Sequence, residues 1–213
     1  MRIDKTKLKK FRLYATGGRV VAFDTETTGC SRYDEICQIA AAEYACGELT
    51  RTFSAYICPT CEINPQAESV HGLSIDFLSE NGLTPEDAIR RFFEFLGNDA
   101  LLVAHNNKFD MRMLNQECEK FGLCFAPNGI KTCDTLALAR HLLPNLDCHA
   151  LSHLIDVLGI DGANSHDALD DAQACANLFF RLIGESRYPC GKLVKQFQEI
   201  ACPRVPLAAE SEF

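Results

Sequence analysis

Residues 19–23, Arg-Val-Val-Ala-Phe, form an apolar run that ends in two acids, Asp24 and Glu26. A short run of β-branched and apolar residues without polar alternation is typical of a strand that is buried on both faces. Because side chains alternate along a strand, Asp24 and Glu26 point to the same face. The run therefore predicts a central strand of a covered sheet, with two carboxylates directed at one place. Two bare acids there would repel, and a divalent cation is the simplest compensation, whereas exposed acids at a turn are the structural alternative.

Two further strand candidates, residues 36–45 and 49–57, are joined by the short hairpin connection Cys46-Gly47-Glu48. Together with the first strand they predict a three-stranded antiparallel meander. A Pro-containing loop is expected at residues 64–65, and residues 100–104 predict another short buried strand. Helices are predicted at residues 4–16, from Thr84-Pro85 onward, and at 109–121, 135–143, 149–158 and 167–184. A meander followed by βα alternation predicts an α/β fold with a mixed sheet covered by helices.

The chain has 213 residues, with 47% hydrophobic and 23% charged residues, which fits one globular α/β domain. We place this domain at residues 1–185, with residues 1–18 as a helical lead-in. From residue 186 onward the apolar pattern loosens, and Pro189, Pro203 and Pro206 precede a polar end. Residues 186–213 are therefore predicted to be a partly ordered C-terminal extension.

The first residues are basic and contain no apolar segment of the kind found in signal peptides. No stretch approaches the roughly 18 apolar residues that a membrane span needs. The chain is not short and shows no export signal, so its 12 cysteines favour free thiols over a disulfide scaffold. We expect a cytoplasmic protein without a membrane partner.

The net charge of -8 opposes nucleic acid binding unless the acids hold metal ions, which reverse the local sign and receive phosphate. Basic residues are concentrated near the start, at Lys5, Lys7, Lys9, Lys10 and Arg12. A solvated helix face explains this run better than a phosphate-binding patch does. The charge pattern therefore directs attention to the acids.

Two later segments also end a strand or begin a helix with acids. In the first, residues 103–110, a buried strand gives way to a helix whose first turn contains Asp110. In the second, residues 165–172, His166 lies just before a long amphipathic helix that contains Asp170 and Asp171. Helix geometry turns these neighbouring aspartates about 100° apart, so only one can face a given site. Asp167 is interpreted as the helix N-cap. Helix dipole and capping explain each segment when it is taken alone.

Two metal-like patterns have structural explanations that we favour. Cys58 and Cys61 have the spacing of a zinc knuckle, but no second cysteine pair follows at the usual distance. His149 and His153 lie four residues apart on one predicted helix, without the glutamate of a zinc protease between them. Free thiols and packed or surface histidines are the favoured interpretations.

In this order and at these separations, the three acidic segments resemble the DEDDh exonuclease family, the DnaQ-like group that includes the proofreading subunit of the bacterial replicative polymerase. The resemblance covers residues 19 to about 183, most of the chain. The family's D-x-E motif matches Asp24 and Glu26, and the aspartate of its second motif matches Asp110. Its H-x-x-x-x-D motif matches His166 and Asp171. Three ordered motifs are far more specific than one D-x-E.

The resemblance implies a ribonuclease H-like mixed five-stranded sheet, in which the antiparallel meander is joined by parallel strands and flanked by helices. It also implies two divalent cations, Mg²⁺ or Mn²⁺, held by Asp24, Glu26, Asp110 and Asp171, with Asp24 between them. Two such ions stabilise the attacking and leaving oxygens of a phosphodiester. His166 would be the general base, because an imidazole with a pKa near 6.5 accepts a proton at neutral pH.

The resemblance further implies that the backbone around Thr25 and Thr27 and the side chains of His105 and Asn106 border the terminal nucleotide. The expected reaction is release of nucleoside 5′-monophosphates from 3′ ends of single-stranded nucleic acid, with DNA favoured over RNA. A role in proofreading or repair, with a DNA polymerase subunit as partner, fits this activity. Two alternatives stay open: an exoribonuclease of the same family, and a non-catalytic module that recruits a polymerase or repair partner.

Overall fold

One mixed sheet forms the centre of the molecule. The computed structural model describes residues 5–123 and 131–184. Its strands are β1 (Arg19–Thr27), β2 (Ile36–Ala45), β3 (Glu48–Tyr56), β4 (Leu101–Ala104) and β5 (Lys131–Asp134). They are ordered β3-β2-β1-β4-β5. The strand β2 is antiparallel to β1 and β3, whereas β4 is parallel to β1 and β5. The expected α/β fold, a three-stranded antiparallel meander extended by parallel strands, is confirmed.

Helices cover both faces of the sheet. In chain order they are α1 (Lys5–Gly17), α2 (Pro65–His71), α3 (Ile75–Asn81), α4 (Pro85–Leu96), α5 (Lys108–Lys120), α6 (Thr135–Leu142), α7 (Leu151–Leu158) and α8 (Ala168–Ile183). One apolar core lies between the sheet and helices α1, α6, α7 and α8. A second core lies between the opposite face and helices α4 and α5. The order of layers is that of a sheet enclosed between two groups of helices.

The alternation of side chains along β1 explains why this strand is apolar throughout its first half. Val20 and Ala22 pack into the core beneath α8, and Val21 and Phe23 pack into the core beneath α4 and α5. All four are at most 1% exposed. The strand is therefore buried on both faces, as predicted, and its next residues emerge at the edge of the sheet where the parallel strands end.

The segment predicted as a loop at residues 64–65 instead begins a helix, so that expectation is wrong. Asn64 caps α2 by accepting a hydrogen bond from the Gln66 amide, and a proline occupies the first turn. Ser74 caps α3 in the same way through the Phe77 amide. Each helix has seven residues, which is too few for a helical periodicity to be recognised in the sequence.

The other predicted helices are present within one or two residues of their expected ends. None of the helices in residues 5–123 and 131–184 combines the length and the apolar character that a membrane span requires. The predicted C-terminal extension, residues 186–213, lies outside the described residues, so the proposed domain boundary remains a prediction.

Candidate active site

The end of β1 places two carboxylates toward α8. Asp24 and Glu26 follow Val20 and Ala22 in the alternation, so all four side chains belong to the same face of the strand. Asp24 and Glu26 are half-buried. The pairing register with β2 shifts between Glu26 and Thr27. Such irregularities in a ladder re-aim side chains at the ends of strands.

Asp110 reaches the same edge from the other side of the sheet. It lies in the first turn of α5, directly after the turn that follows β4, and is 3% exposed. Thr25, on the opposite face of β1 from Asp24, donates a 2.8 Å hydrogen bond from Oγ1 to Asp110 Oδ1. This bond fixes the carboxylate of α5 against the strand that carries Asp24 and Glu26.

The segment before α8 supplies the third group of residues. Asp167 caps this helix by accepting hydrogen bonds from the amides of Leu169 and Asp170, as predicted. Asp171 is 5% exposed, and its carboxylate accepts hydrogen bonds from the side-chain amide of Asn164 and from the Ser165 amide, the latter at 3.0 Å. The first turn of α8 therefore directs Asp171 inward.

The neighbouring acid points away from this site. Asp170 is exposed, and its Oδ2 accepts a 2.8 Å hydrogen bond from Ser165 Oγ. The rotation of about 100° between successive helical residues accounts for the difference between Asp170 and Asp171. Of the two adjacent aspartates, only Asp171 faces the end of β1.

His166 stands in the connection just before α8, with its side chain exposed. Its φ of 58° is in the left-handed region, which is uncommon for a residue with a side chain and is often found at functional sites. Ligand atoms of Glu26, His166 and Asp171 all lie within 4.8 Å of one another. The structure thus brings residues from positions 26 and 166–171 into one cluster.

Burial acts on all four carboxylates at this edge of the sheet, and repulsion between carboxylates adds to it at Asp24 and Glu26. Burial, followed by the charges of Asp110, Glu26 and Asp171, raises the pKa of Asp24 well above its ordinary value. Burial, followed by the charge of Asp171, raises the pKa of Glu26 to about 8. Such shifts mean that the acids lack sufficient positive charge around them.

Burial also raises the pKa values of the two carboxylates that helices contribute. Burial raises the pKa of Asp110 to about 7, although the hydrogen bond from Thr25 acts in the opposite direction. Burial also raises the pKa of Asp171, against the hydrogen bonds from Ser165 and Asn164 and the nearby His166. A divalent cation would offset the repulsion, and a set of carboxylate oxygens is the donor chemistry that Mg²⁺ and Mn²⁺ prefer. The residues present therefore fit such ions.

A cleft of about 660 Å³ opens beside the cluster, with Asp24 and Asp171 in its wall. Its remaining lining comes from the turn after β4, from α6 and from the segments that flank α7: His105, Asn106, Leu136, Arg140, Asp147, Cys148, His149, Ala150, Leu151 and Asn164. The cleft lies outside the carboxyl ends of the parallel strands, where open α/β sheets bind their ligands.

The four residues expected to border a nucleotide have different surroundings. His105 and Asn106 line the cleft. His105 Nδ1 lies 2.9 Å from Thr135 Oγ1 and Nε2 lies 3.0 Å from the His149 carbonyl oxygen, so both ring nitrogens already have protein partners. Thr25 and Thr27 are buried, and their hydroxyls donate to Asp110 Oδ1 and to the Gly29 carbonyl oxygen. Of these side chains, only that of Asn106 is exposed.

Three residues at or next to the site were not singled out from the sequence. Asn164 holds Asp171, and Arg140 lines the cleft from α6. Gln38, on β2, is hydrogen-bonded to the Asp167 side chain and to the Ala168 amide at the start of α8. Gln38 could not be identified because its partners on α8 are distant in sequence. Asn164 lies in a loop whose composition is ordinary. For Arg140, the only indication in the sequence was its position four residues after Leu136, on the same face of a predicted helix.

The other metal-like patterns have protein partners in the structure. Cys61 Sγ lies 3.3 Å from Thr28 Oγ1, and the Cys58 thiol donates to the Pro59 carbonyl oxygen at 3.9 Å. His149 Nε2 lies 2.9 Å from the Leu143 carbonyl oxygen. The interpretation of these residues as free thiols and as packed or surface histidines stays a prediction.

Comparisons with known proteins agree with this arrangement. A family model described as "Exonuclease" matches residues 21–179. The PolC-type DNA polymerase III of Oceanobacillus iheyensis is 37% identical over 166 residues, which are 76% of this chain and 11% of that protein. The PolC-type DNA polymerase III of Listeria monocytogenes is 38% identical over 167 residues, which are 78% of this chain and 11% of that protein. The chain therefore spans about a tenth of the length of these relatives.

Among solved structures, Escherichia coli exonuclease I in complex with a dA16 oligonucleotide has a TM-score of 0.70 at 20% identity. The match covers 85% of this chain and 43% of that one. Exonuclease I from Methylocaldum szegediense has a TM-score of 0.67 at 23% identity, over 84% of this chain and 42% of that one. At these identities the likeness establishes a shared fold.

Proposed function

The chain belongs to the exonuclease family, and we propose that it removes nucleoside 5′-monophosphates one at a time from the 3′ end of single-stranded DNA. The observation that carries the proposal is the convergence of Asp24, Glu26, Asp110 and Asp171 with His166 at one edge of the sheet, beside an open cleft. Burial raises the pKa values of these acids, and repulsion between neighbouring carboxylates adds to the effect at Asp24 and Glu26, which suits a site that holds cations.

We assign the cation ligands to the four carboxylates. Asp24 interacts with the other three, so it is the residue best placed to serve two ions, with Glu26, Asp110 and Asp171 around it. Two divalent cations, Mg²⁺ or Mn²⁺, would neutralise the phosphate and stabilise the attacking and leaving oxygens of its hydrolysis. The acids thus act as ligands, and the net charge of -8 does not oppose a phosphate substrate.

Hydrogen-bond donors of the protein orient two of the carboxylates, and a histidine accepts the proton of the attacking water. Thr25 orients the carboxylate of Asp110, and Asn164 together with the Ser165 amide orients that of Asp171. His166 is exposed to solvent at the mouth of the cluster, so an imidazole nitrogen can accept a proton from the attacking water. His166 has a left-handed backbone, and one of its ring nitrogens lies within 4.8 Å of carboxylate oxygens of Glu26 and Asp171.

DNA is the favoured substrate class because the relatives at 37–38% identity are DNA polymerases. For the same reason we propose a DNA polymerase as the partner. All five residues expected from the family motifs are present in the sequence, which argues against a non-catalytic module.

The test uses matched single-stranded DNA and RNA oligonucleotides, labelled at the 5′ end and incubated with Mg²⁺ or Mn²⁺. We expect a ladder of products that shortens by one nucleotide from the 3′ end, release of deoxynucleoside 5′-monophosphates, and faster turnover of DNA. A terminal 3′-phosphorothioate linkage should delay the reaction. Faster RNA turnover would assign the exoribonuclease activity instead, and internal cuts, shortening from the 5′ end or no turnover would refute the proposal.

A further inference from the structure

The cleft beside the carboxylate cluster is acidic except at one wall. Its acidic residues are Asp24, Asp147 and Asp171, whereas Arg140 is the one lysine or arginine among the described residues that line it. Cations bound at Asp24 and Asp171 would receive one phosphate of a nucleic acid strand. The positive charge of Arg140 would then be available to a different group of the ligand.

Arg140 is exposed. Within the part of the chain that the structure describes, it makes neither a hydrogen bond nor an ion pair with another side chain. By contrast, Arg19, Arg51 and Arg90 each bind a glutamate at 2.6–2.8 Å. An arginine that faces a cleft without a protein partner is available to a ligand, and its planar fork of donors matches the oxygens of a phosphate.

The helix that carries Arg140 is firmly attached to the fold. Asp134 caps α6 by accepting hydrogen bonds from the amides of Leu136 and Ala137. Leu138 and Ala139 are fully buried in the core beneath α8. Leu136 and Arg140 are four residues apart, so they share one face of α6, and both line the cleft. The guanidinium group is therefore presented by a rigid element.

We propose that Arg140 binds a backbone phosphate of the substrate strand other than the one being hydrolysed. This inference rests on the proposed function and adds to it a requirement for at least two phosphodiesters in the preferred substrate. The strand would pass from the carboxylate cluster along the cleft to α6. Phosphate contacts of this kind position a strand without reading its sequence.

The experiment compares two substrates at a fixed concentration of Mg²⁺ or Mn²⁺. One is an oligothymidylate with several phosphodiesters, and the other is the p-nitrophenyl ester of thymidine 5′-monophosphate, which has a single phosphodiester. The variants are Arg140→Gln and Arg140→Lys. Arg91→Gln is the matched control, because Arg91 is exposed on α4 and does not line the cleft. Circular dichroism and the melting temperature establish that each variant is folded.

Arg140→Gln should lower kcat/KM for the oligonucleotide by about ten- to a hundredfold, the effect of losing one charge-assisted hydrogen bond. The ester should lose less than about threefold, so the ratio of the two values falls. Arg140→Lys should recover part of the loss because it restores the charge without the fork. Arg91→Gln should leave the ratio unchanged.

Salt dependence gives a second and independent readout on the oligonucleotide alone. In Arg140→Gln, the slope of log kcat/KM against log salt concentration should become less steep by about 0.7, the value for one phosphate contact on a single strand. An unchanged slope, equal losses on both substrates or no loss on the oligonucleotide would overturn the assignment of Arg140. Wild-type protein without activity on either substrate would instead refute the proposed function.

Discussion

Each helix-borne acid of the candidate site is held by a neighbouring hydrogen-bond donor. Thr25 donates to Asp110, and Asn164 and the Ser165 amide donate to Asp171. Such bonds would fix the oxygens before a proposed cation binds, which lowers the free-energy cost of organising the site. The arrangement explains how a cluster of like charges keeps a defined geometry.

The adjacent aspartates of α8 offer a matched pair of substitutions. Asp171→Asn should lower kcat for mononucleotide release by about a hundredfold or more, because the buried residue in the cluster loses its charge. Asp170→Asn removes the same charge from an exposed neighbour and should change kcat by less than about threefold. Steady-state rates on a single-stranded oligonucleotide measure both effects. Equal effects of the two substitutions would contradict the assignment of Asp171.

For single residues, the sequence predicted those side-chain directions that follow from strand or helix geometry alone. Strand alternation was enough to place Asp24 and Glu26 on one face, and helical rotation was enough to show that Asp170 and Asp171 diverge. Gln38 could not be predicted as a supporting residue, because its contacts with α8 form only when distant elements pack. Asn164 is close in sequence to its partner Asp171, but it lies in a loop of ordinary composition that gives no sign of this contact. The hydrogen-bond partners of Gln38 at the start of α8 lie 129 and 130 positions further along the chain.

Among the elements, the start of α8 is tied to the middle of the sheet through Gln38. This side chain is 1% exposed and lies opposite Glu26 in the pairing of β1 with β2. Its Nε2 donates to Asp167 Oδ2 at 2.9 Å, and its Oε1 accepts from the Ala168 amide at 3.2 Å. Gln38, which is paired with Glu26, thereby links strand β2 to the helix that carries Asp171.

Gln38→Leu should destabilise the protein by about 1–3 kcal/mol, because it leaves a buried amide and a carboxylate oxygen without this partner. It should also lower kcat, since the helix start would no longer be fixed against the sheet. Urea unfolding measures the first effect and oligonucleotide turnover the second.

Gln116→Leu is the control, because this amide contacts Arg112 and the Arg32 carbonyl oxygen, away from α8. A Gln38→Leu protein with unchanged kcat, or one no less stable than Gln116→Leu, would show that the link is unimportant.

The long elements were predictable because each has a periodicity of its own: the apolar run of β1, the hairpin of β2 and β3, and the amphipathic α4 and α8. The short helices α2 and α3 were missed, because two turns provide too few positions to establish a period. The strand β5 has four residues, of which only Cys133 is buried. Its place in the sheet depends on pairing with β4, which no local pattern reveals.

In the whole molecule, the burial of the site's acids affects stability. In the metal-free protein, burial raises the pKa of Glu26 from 4.5 to about 8 and that of Asp110 from 3.8 to about 7. At a pH between the ordinary and the raised pKa of each residue, the folded protein retains a proton that the unfolded chain has lost. The free energy of unfolding should therefore fall as the pH rises from about 5 to about 8.

Urea unfolding in EDTA at pH 5 and pH 8 tests this dependence. We expect the metal-free protein to lose at least about 1 kcal/mol over this range through these groups. Mg²⁺ should add more stability at pH 8 than at pH 5, because protons compete with the ion for the carboxylates. Glu26→Gln should reduce the pH dependence in EDTA. A metal-free protein that becomes more stable toward pH 8, with no effect of Glu26→Gln, would contradict the electrostatic description.

The sheet and its helices bring four carboxylates from separated parts of the chain together beside the cleft, where we propose that cations bind the end of a strand. The most direct measurement is mononucleotide release from a single-stranded oligonucleotide by wild-type protein and by Asp24→Asn, each in EDTA and across a titration of Mg²⁺. We predict that the wild type is inactive in EDTA and is activated by Mg²⁺, while folded Asp24→Asn stays at least about a hundredfold slower at every concentration. Activity of the wild type in EDTA, or undiminished activity of Asp24→Asn, would contradict the account.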